Sequence, residues 1–214
     1  MAGFTGFLTE GSIRRLVEDE KTLITGNFDP SCLSQWRYDL RLGDEAFLSS
    51  DKELRRLKDG DTITIRTGEF ALLMTHETVK IPKTLVGFIS LKLSFALKGL
   101  VNISGFHIDP DFEGRLVFSV YNAGPNPVVM RYKEAVFMVI FAPLDGDGGK
   151  KDGVFNRLKQ LKSEWISSVK GPPISLIALD RKVERLSGTV NLLIALIIAL
   201  VGTVVATFLI GGRP

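Results

Sequence analysis

Short apolar runs separated by turn residues fill most of the first two thirds of the chain, and they predict β-strands. The runs between residues 38 and 141 read TITIRT, EFALLMT, LVGFISLKL, LVFSVYN, PVVMRY and AVFMVIFAPL. Turn pairs such as Asp59-Gly60, Ile81-Pro82 and Asp109-Pro110 lie between them. Many short strands at this spacing, with little helical period among them, favour an all-β sandwich or barrel over alternating strands and helices.

Helical spacing appears before and after this β-region. Residues 9–23 place Ile13, Leu16 and Val17 on one face behind Ser12, a residue type that caps helices, which predicts a short helix. Residues 155–169 carry apolar side chains at helical intervals and predict an amphipathic helix. The sequence leaves two places open for this second helix: packed on its own β-domain, or lying in a lipid interface.

The last part of the chain is apolar enough to cross a membrane. Residues 190–210 contain no charged side chain, and a helix of about 20 apolar residues spans the ~30 Å hydrocarbon layer. Basic residues precede this stretch at Arg181, Lys182 and Arg185, whereas only Arg213 follows it. This asymmetry predicts a single-pass, tail-anchored protein whose N-terminal domain is cytoplasmic.

These patterns divide the chain into four predicted parts. Residues 1–144 form a β-domain, and residues 145–173 form a polar linker and the amphipathic helix. Residues 174–189 form a juxtamembrane helix, and residues 190–210 form the transmembrane helix. Apolar residues at alternating spacings of three and four continue from the juxtamembrane part into the membrane part, which favours a short parallel helix bundle.

Composition and charge exclude several kinds of site. The net charge is +3 and the basic residues are scattered, so no nucleic-acid partner is expected. Cys32 is the one cysteine, which permits no intramolecular disulfide and agrees with a reducing compartment. His76 and His107 have no ligand cluster around them in the sequence, so both are interpreted as structural and no protein-bound metal is predicted.

Several motifs in the β-region resemble the dCTP deaminase branch of the trimeric dUTPase superfamily. In chain order they are GSIRRLVED near the N-terminus, YDLRLG at residues 38–43, the strand pair at 68–82, DPDFEG at 109–114 and YN at 121–122. The resemblance covers about residues 9–144. It implies a dUTPase-like distorted β-barrel or jelly roll, a homotrimer, and nucleotide sites between subunits.

The resemblance also implies which residues would contact a nucleotide. Asp109 stands at the position of an aspartate that activates water and contacts the sugar, and it is the predicted catalytic residue. Predicted nucleotide contacts are Lys92, Ser94, Lys98, Asp109 and Tyr121. Any Mg²⁺ is expected to arrive with the phosphates of the nucleotide rather than to be bound by the protein.

Other residues that the family uses for chemistry are replaced in this chain. Leu93 and Leu97 stand where a serine and an arginine of the phosphate segment are expected, and an apolar side chain gives no charge-assisted contact to a triphosphate. Ser119 replaces the glutamate that serves as general acid and base, and Met138 replaces a glutamine. In addition, Arg37 replaces a serine.

Three functions remain open from the sequence. The first is a membrane-anchored, catalytically degenerate trimer that binds or senses pyrimidine deoxynucleotides. The second is a working enzyme, either a dCTP deaminase or a dUTP or dCTP pyrophosphatase in which Asp109 activates water. The third is a trimeric membrane effector in which the barrel is a structural cap for the membrane helices.

Overall fold

The computed structural model describes residues 6–51, 53–149, 158–171 and 176–211. The chain divides into two compact units, residues 1–173 and residues 174–214. The first unit carries the β-structure, and the described part of the second unit is helical.

An N-terminal helix, α1 (Glu10–Glu18), precedes the β-structure and buries Ile13, Leu16 and Val17 as predicted. The predicted N-cap and the predicted C-terminal end were wrong. The N-cap is Thr9, whose carbonyl accepts from Ile13 N, and Ser12 lies inside the helix. The helix ends at Glu18 because the chain turns to positive φ at Lys21 and enters a strand at Leu23.

Within the described residues, twelve strands follow the predicted apolar runs and the segments between them. They are β1 (Leu23–Gly26), β2 (Leu33–Ser34), β3 (Arg37–Leu48), β4 (Arg55–Arg56), β5 (Thr62–Ile65), β6 (Phe70–Lys80), β7 (Leu85–Leu91), β8 (Leu100–Asn102), β9 (His107–Ile108), β10 (Glu113–Asn122), β11 (Val128–Arg131) and β12 (Ala135–Pro143). A 3₁₀ turn (Pro30–Cys32) and a short helix, α2 (Leu93–Ala96), interrupt them.

Ten of these strands form one antiparallel, curled sheet in the described part of the chain. The main order is β8-β10-β6-β3-β12-β7-β9, with β1 added to β6 and with β2 and β4 added to β3. Strands β5 and β11 form a separate pair. This mainly β architecture, followed by a C-terminal apolar helix, confirms the predicted fold class.

One side of the sheet holds the main core. Phe118 of β10 and Phe137 of β12 stack with ring centroids 3.5 Å apart, and both are fully buried. Burial alternates along β10, so that Leu116, Phe118 and Val120 lie in the core. The intervening residues therefore face the other side of the sheet, where the candidate site lies.

A buried ion pair ties β3 to β6 inside this fold. Glu77 is fully buried and accepts from the backbone N–H and the Nε of Arg41, at 2.9 and 2.6 Å. Burial raises the pKa of Glu77, while the hydrogen bonds from Arg41 act in the opposite direction. Breaking such a pair leaves an uncompensated buried charge, so it fixes the register of the two strands.

The segment after the barrel is only partly the helix that its pattern predicts. The observed helix, α3, covers Ser163–Val169, whereas Leu158 forms a parallel bridge with Gly114 and Leu161 is buried in extended chain. Residues 150–157 lie outside the described part. Trp165 packs with its neighbours on Phe47 and Leu72 of the sheet, which is the first of the two placements that the sequence left open.

A single long helix, α4 (Leu176–Gly211), forms the described part of the second unit. Its portion Lys182–Ala206 is long and apolar enough to cross a membrane, by length and composition, and is not buried inside the protein. No break separates the predicted juxtamembrane and transmembrane parts. A helix segment of this length that is apolar on every face is a candidate membrane span.

Candidate functional site

A cavity of about 460 Å³ lies on the outer side of the sheet, within the first unit of the chain. Its floor includes Leu72 of β6 and Ser119 of β10, which are paired directly across the two strands. One side is formed by β9 and the turn after it, including Asp109. The volume lies in the usual range for small-molecule sites, ~300–1,000 Å³.

Residues 158–171, which we call the strap, form the remaining wall of the cavity. Leu158, Trp165, Ser168 and Val169 of the strap line it. Together with Leu72 and the apolar residues of β10, these side chains make the cavity largely apolar, with a few polar groups. That composition is typical of sites that bind an organic ligand and orient it through a small number of hydrogen bonds.

Ser119 reaches the cavity because of its position in β10. Core residues Phe118 and Val120 flank it, so the strand alternation turns Ser119 to the outer face. Its backbone oxygen accepts from Ile103 N at 2.8 Å, which holds the strand against the preceding segment. A hydroxyl at this position donates and accepts hydrogen bonds, but it is not a proton shuttle at neutral pH as a carboxylate is.

Asp109 and His107 form a pair at the side of the cavity. His107 Nε2 lies 3.2 Å from Asp109 Oδ1, and the two side chains are 50% and 40% exposed. The turn after Asp109 is fixed by a hydrogen bond from Phe112 N to Asp109 O at 3.3 Å and by the positive φ of Asp111. An aspartate that accepts from an imidazole can orient the ring toward a bound water or a ligand hydroxyl.

His107 is a candidate functional residue that the sequence analysis assigned to structure. It lines the cavity and contacts the predicted catalytic residue Asp109. The sequence spacing could have indicated this contact, because residues two positions apart in a strand lie on the same face of the sheet. No described group of three or more histidine, cysteine, aspartate or glutamate side chains is placed to hold a metal ion.

Arg115 is a second cavity residue that sequence reasoning did not single out. Its Nε donates to Thr75 O at 2.7 Å, and its Nη2 lies 2.6 Å from Asp44 Oδ1. Gly43 makes room for it, because a Cβ there would meet Arg115 Nη2 at 2.2 Å. The guanidinium is therefore held in place, and its positive charge is paired with Asp44.

The substituted phosphate segment lies outside the cavity, in and around α2. Leu93 and Leu97 project from this short helix and are 69% and 79% exposed, while Phe95 between them is buried. Ser94 and Lys98 are also exposed, and the Lys98 ammonium lies 4.8 Å from the centroid of the Phe95 ring. Their predicted contacts with a nucleotide stay predictions.

Lys92 lies at the start of the same segment and has a partner within the chain. Its ammonium pairs with Asp39, whose other carboxylate oxygen lies 3.2 Å from Arg37 Nε. Asp39 lies directly opposite Met138 in the neighbouring strand, and Met138 lies directly opposite Ser90 in the next strand. The replacements at 37 and 138 thus lie beside this charged group, on the face that β3, β12 and β7 share.

Only two of the residues singled out from the family resemblance meet at the cavity of one chain, namely Asp109 and Ser119. Tyr121 lies on the same face of β10, two residues beyond Ser119, but it does not line the cavity. Residues of α2 and of the β3–β12–β7 face lie elsewhere on the domain. Within one chain, the predicted contacts of the α2 segment are therefore not brought together with Asp109 and Ser119.

Comparisons with known proteins identify the family of this chain. The family described as dCTP deaminase-like matches residues 7–144. A dCTP deaminase from Colwellia psychrerythraea is 27% identical over 202 residues, covering 83% of this chain and 99% of its own. A dCTP deaminase from Pyrococcus furiosus is 32% identical over 126 residues, covering 59% of this chain and 79% of its own.

A crystal structure of 2′-deoxycytidine 5′-triphosphate deaminase from Agrobacterium tumefaciens supports the fold. It superposes with a TM-score of 0.54 at 19% identity, over 64% of this chain and 47% of its own. On these grounds the chain belongs to the dCTP deaminase-like family.

Proposed function

We propose that this protein is a membrane-anchored homotrimer that binds a pyrimidine deoxynucleotide without deaminating it. The observation that carries the proposal is Ser119, which stands in the cavity beside Asp109 where the family resemblance implies a glutamate. Deamination requires a group that moves protons between water and the base. Loss of such a group typically lowers the rate of the catalysed reaction by about 10²-fold to 10⁴-fold.

The replacements around α2 also support a loss of enzymatic function, because they remove side chains that would contact the triphosphate. Leu93 and Leu97 are exposed and apolar, so the segment offers no arginine fork to the phosphates. Lys92 is engaged by Asp39, which leaves Ser94 and Lys98 as the exposed polar groups of the segment. Phosphate binding by Ser94 and Lys98 alone would be weaker than in the family pattern.

The exposed surface of the β-domain is consistent with assembly. Large apolar side chains that are 47–79% exposed occur between β7 and β9, at Leu93, Leu97, Val101, Ile103 and Phe106. Contact with neighbouring copies would remove this surface from water, which is favourable. The same assembly would bring α2 and Tyr121 of one copy toward the cavity of another and complete the nucleotide site.

Helix α4 supplies the membrane anchor in this proposal. Its apolar stretch has the length of a bilayer span, and basic residues precede it. The β-domain would then lie on the cytoplasmic side, in contact with the pool of deoxynucleotides.

Nucleotide binding is tested by a thermal-shift series on the detergent-solubilised full chain. A ligand that binds the native state raises the midpoint in proportion to RT ln(1 + [L]/Kd). We expect dCTP or dUTP to raise the midpoint and ATP at the same concentration to leave it unchanged. A flat response to all pyrimidine deoxynucleotides would exclude the proposed function.

The His107–Asp109 pair favours a second candidate, a dUTP or dCTP pyrophosphatase. A water held by this pair would attack the α-phosphorus and release pyrophosphate, and the pair would take the proton of the water. Pyrophosphate release from dUTP that disappears in Asp109→Asn would establish this activity. Equal inertness of wild type and Asp109→Asn would exclude it.

A further inference from the structure

Of the five family positions that are replaced in this chain, position 37 alone gains a charged group. Leucine stands in place of the arginine of the phosphate segment at position 97, while arginine stands in place of a serine at position 37. The chain therefore loses one guanidinium and gains another. The two changes can serve the same ligand only if position 37 lies beside the phosphate segment, residues 92–98.

Arg37 is linked to the phosphate segment through Asp39. Both side chains lie on the outer face of β3, since Tyr38 between them is fully buried. Oδ1 of Asp39 lies 3.2 Å from Arg37 Nε, and Oδ2 accepts from the ammonium of Lys92, the residue directly before α2. Arg37 and the first residue of the phosphate segment are thus held against one carboxylate.

The contact with Asp39 leaves both ends of the Arg37 guanidinium available. Only Nε is engaged, and neither Nη1 nor Nη2 has a hydrogen-bond partner among the described residues. The side chain of Arg37 is 36% exposed, whereas that of Asp39 is 13% exposed. A guanidinium binds two phosphate oxygens through paired N–H groups, and anchoring at Nε lowers the conformational entropy that binding would cost. Arg37 is therefore placed to bind an anion while it keeps its contact with Asp39.

We propose that Arg37 binds the phosphate chain of the nucleotide and replaces the contact that is lost at Leu97. The cluster of Arg37, Asp39 and Lys92 has two cations and one carboxylate, so a net positive charge remains to attract a polyphosphate. The guanidinium is supplied by β3 instead of α2. This inference rests on the proposed function for the nucleotide, but an anion that consists of the phosphate chain alone is enough to test it.

The test is calorimetric titration of the full chain in detergent with inorganic tripolyphosphate and, separately, with dCTP. We expect Arg37→Ser to weaken the binding of both by about tenfold or more, because charge-assisted hydrogen bonds are lost. The affinity should also depend less steeply on salt. Arg37→Lys keeps the charge without the paired donors, so a smaller loss with the salt dependence of the wild type is expected.

Returning the guanidinium to position 97 tests the replacement itself. Leu97 is 79% exposed, so an arginine there meets no packing constraint. In the Arg37→Ser background, Leu97→Arg is expected to restore most of the affinity for tripolyphosphate. Arg14→Ser is the matched control, because Arg14 has a similar exposure of 38% and pairs with the carboxylate of Glu10 on α1. Its affinity should equal that of the wild type.

Equal affinities of the wild type and Arg37→Ser for tripolyphosphate would overturn the role of Arg37, even if dCTP binds. An equal loss in Arg14→Ser, or no binding of either ligand by the wild type, would overturn it as well. Failure of the proposed function alone would look different. Tripolyphosphate binding would then depend on Arg37, while dCTP would bind no more tightly than ATP.

Discussion

His107 Nε2 lies 3.2 Å from Asp109 Oδ1 at the side of the cavity whose floor includes Ser119. The pair gives this cavity a fixed carboxylate and an imidazole although the expected glutamate is a serine. Such a pair can hold a ligand hydroxyl or a water. In the proposed function, nucleotide binding is retained and deamination is lost, because the pair remains while the proton shuttle is replaced.

Asp109 should contribute more to nucleotide affinity than any other single side chain of the cavity. We expect Asp109→Asn to weaken dCTP binding by about tenfold to a hundredfold, since a hydrogen bond to a charged group contributes ~1.5–3 kcal/mol. His107→Gln should weaken it less. Isothermal titration calorimetry on the full chain measures both. The control is Asp59→Asn, which removes an exposed carboxylate that pairs with Lys133; an equal loss there would count against a specific role for Asp109.

Lys92 and Lys98 are expected to differ in role although they flank the same short helix. Lys92 pairs with Asp39, which is 13% exposed, so Lys92→Met should lower the unfolding midpoint by a few degrees, equivalent to ~1 kcal/mol. Lys98→Met should leave the midpoint unchanged and weaken dCTP binding several-fold, with a shallower dependence on salt. Differential scanning fluorimetry and calorimetric titration distinguish the two. If instead Lys92→Met weakened dCTP binding and Lys98→Met lowered the midpoint, Lys92 would be the phosphate contact.

Gly99 is required for its backbone conformation and for close packing rather than for a chemical role in the site. Its φ is +90°, and a Cβ there would meet Gly124 Cα at 2.3 Å. We expect Gly99→Ala to destabilise the domain by ~2 kcal/mol or more, measured as a lower midpoint of thermal unfolding. Gly11→Ala is the control, because nothing lies within 4 Å of its added Cβ and alanine favours the helix α1. Equal midpoints for the two variants would contradict the close approach of the loops at Gly99 and Gly124.

His76 should make the domain less stable in weak acid. Burial, followed by the positive charges of Arg41, Lys133 and Arg115, lowers the pKa of His76. Below pH ~6.5 the unfolded chain binds a proton at this residue while the native chain does not, so the free energy of unfolding falls from there down to the native pKa. The midpoint of His76→Gln is expected to fall less than that of the wild type between pH 7.5 and pH 5.5. Parallel pH profiles would show that His76 contributes nothing to this dependence.

Much of the fold could be predicted because it follows from local pattern. The alternation in β10 predicts which of its residues share a face, and the family motifs mark the strand pairs and turns around it. The predicted end of α1 and the predicted extent of α3 were wrong. For α3, the apolar residues at helical spacing are divided between an extended segment and a short helix. In the strap, the bridge between Leu158 and Gly114 stabilises the extended form.

Contacts between distant parts of the chain could not be read from the sequence. Lys92 pairs with Asp39 because β3, β12 and β7 are adjacent in the sheet, and only the strand order brings the two residues together. For the same reason, the sequence does not show that Arg115 packs against Gly43 or that Trp165 lines the cavity. His107 was the exception, because its spacing from Asp109 was visible in the sequence.

The most direct test is whether the purified chain deaminates dCTP. Release of ammonia and formation of dUTP are followed together, with saturating dCTP confirmed by its thermal shift in the same preparation. We expect bound dCTP and no dUTP above the uncatalysed rate. Formation of dUTP at ~1 s⁻¹ or faster, within the usual range of enzyme turnover, would contradict it.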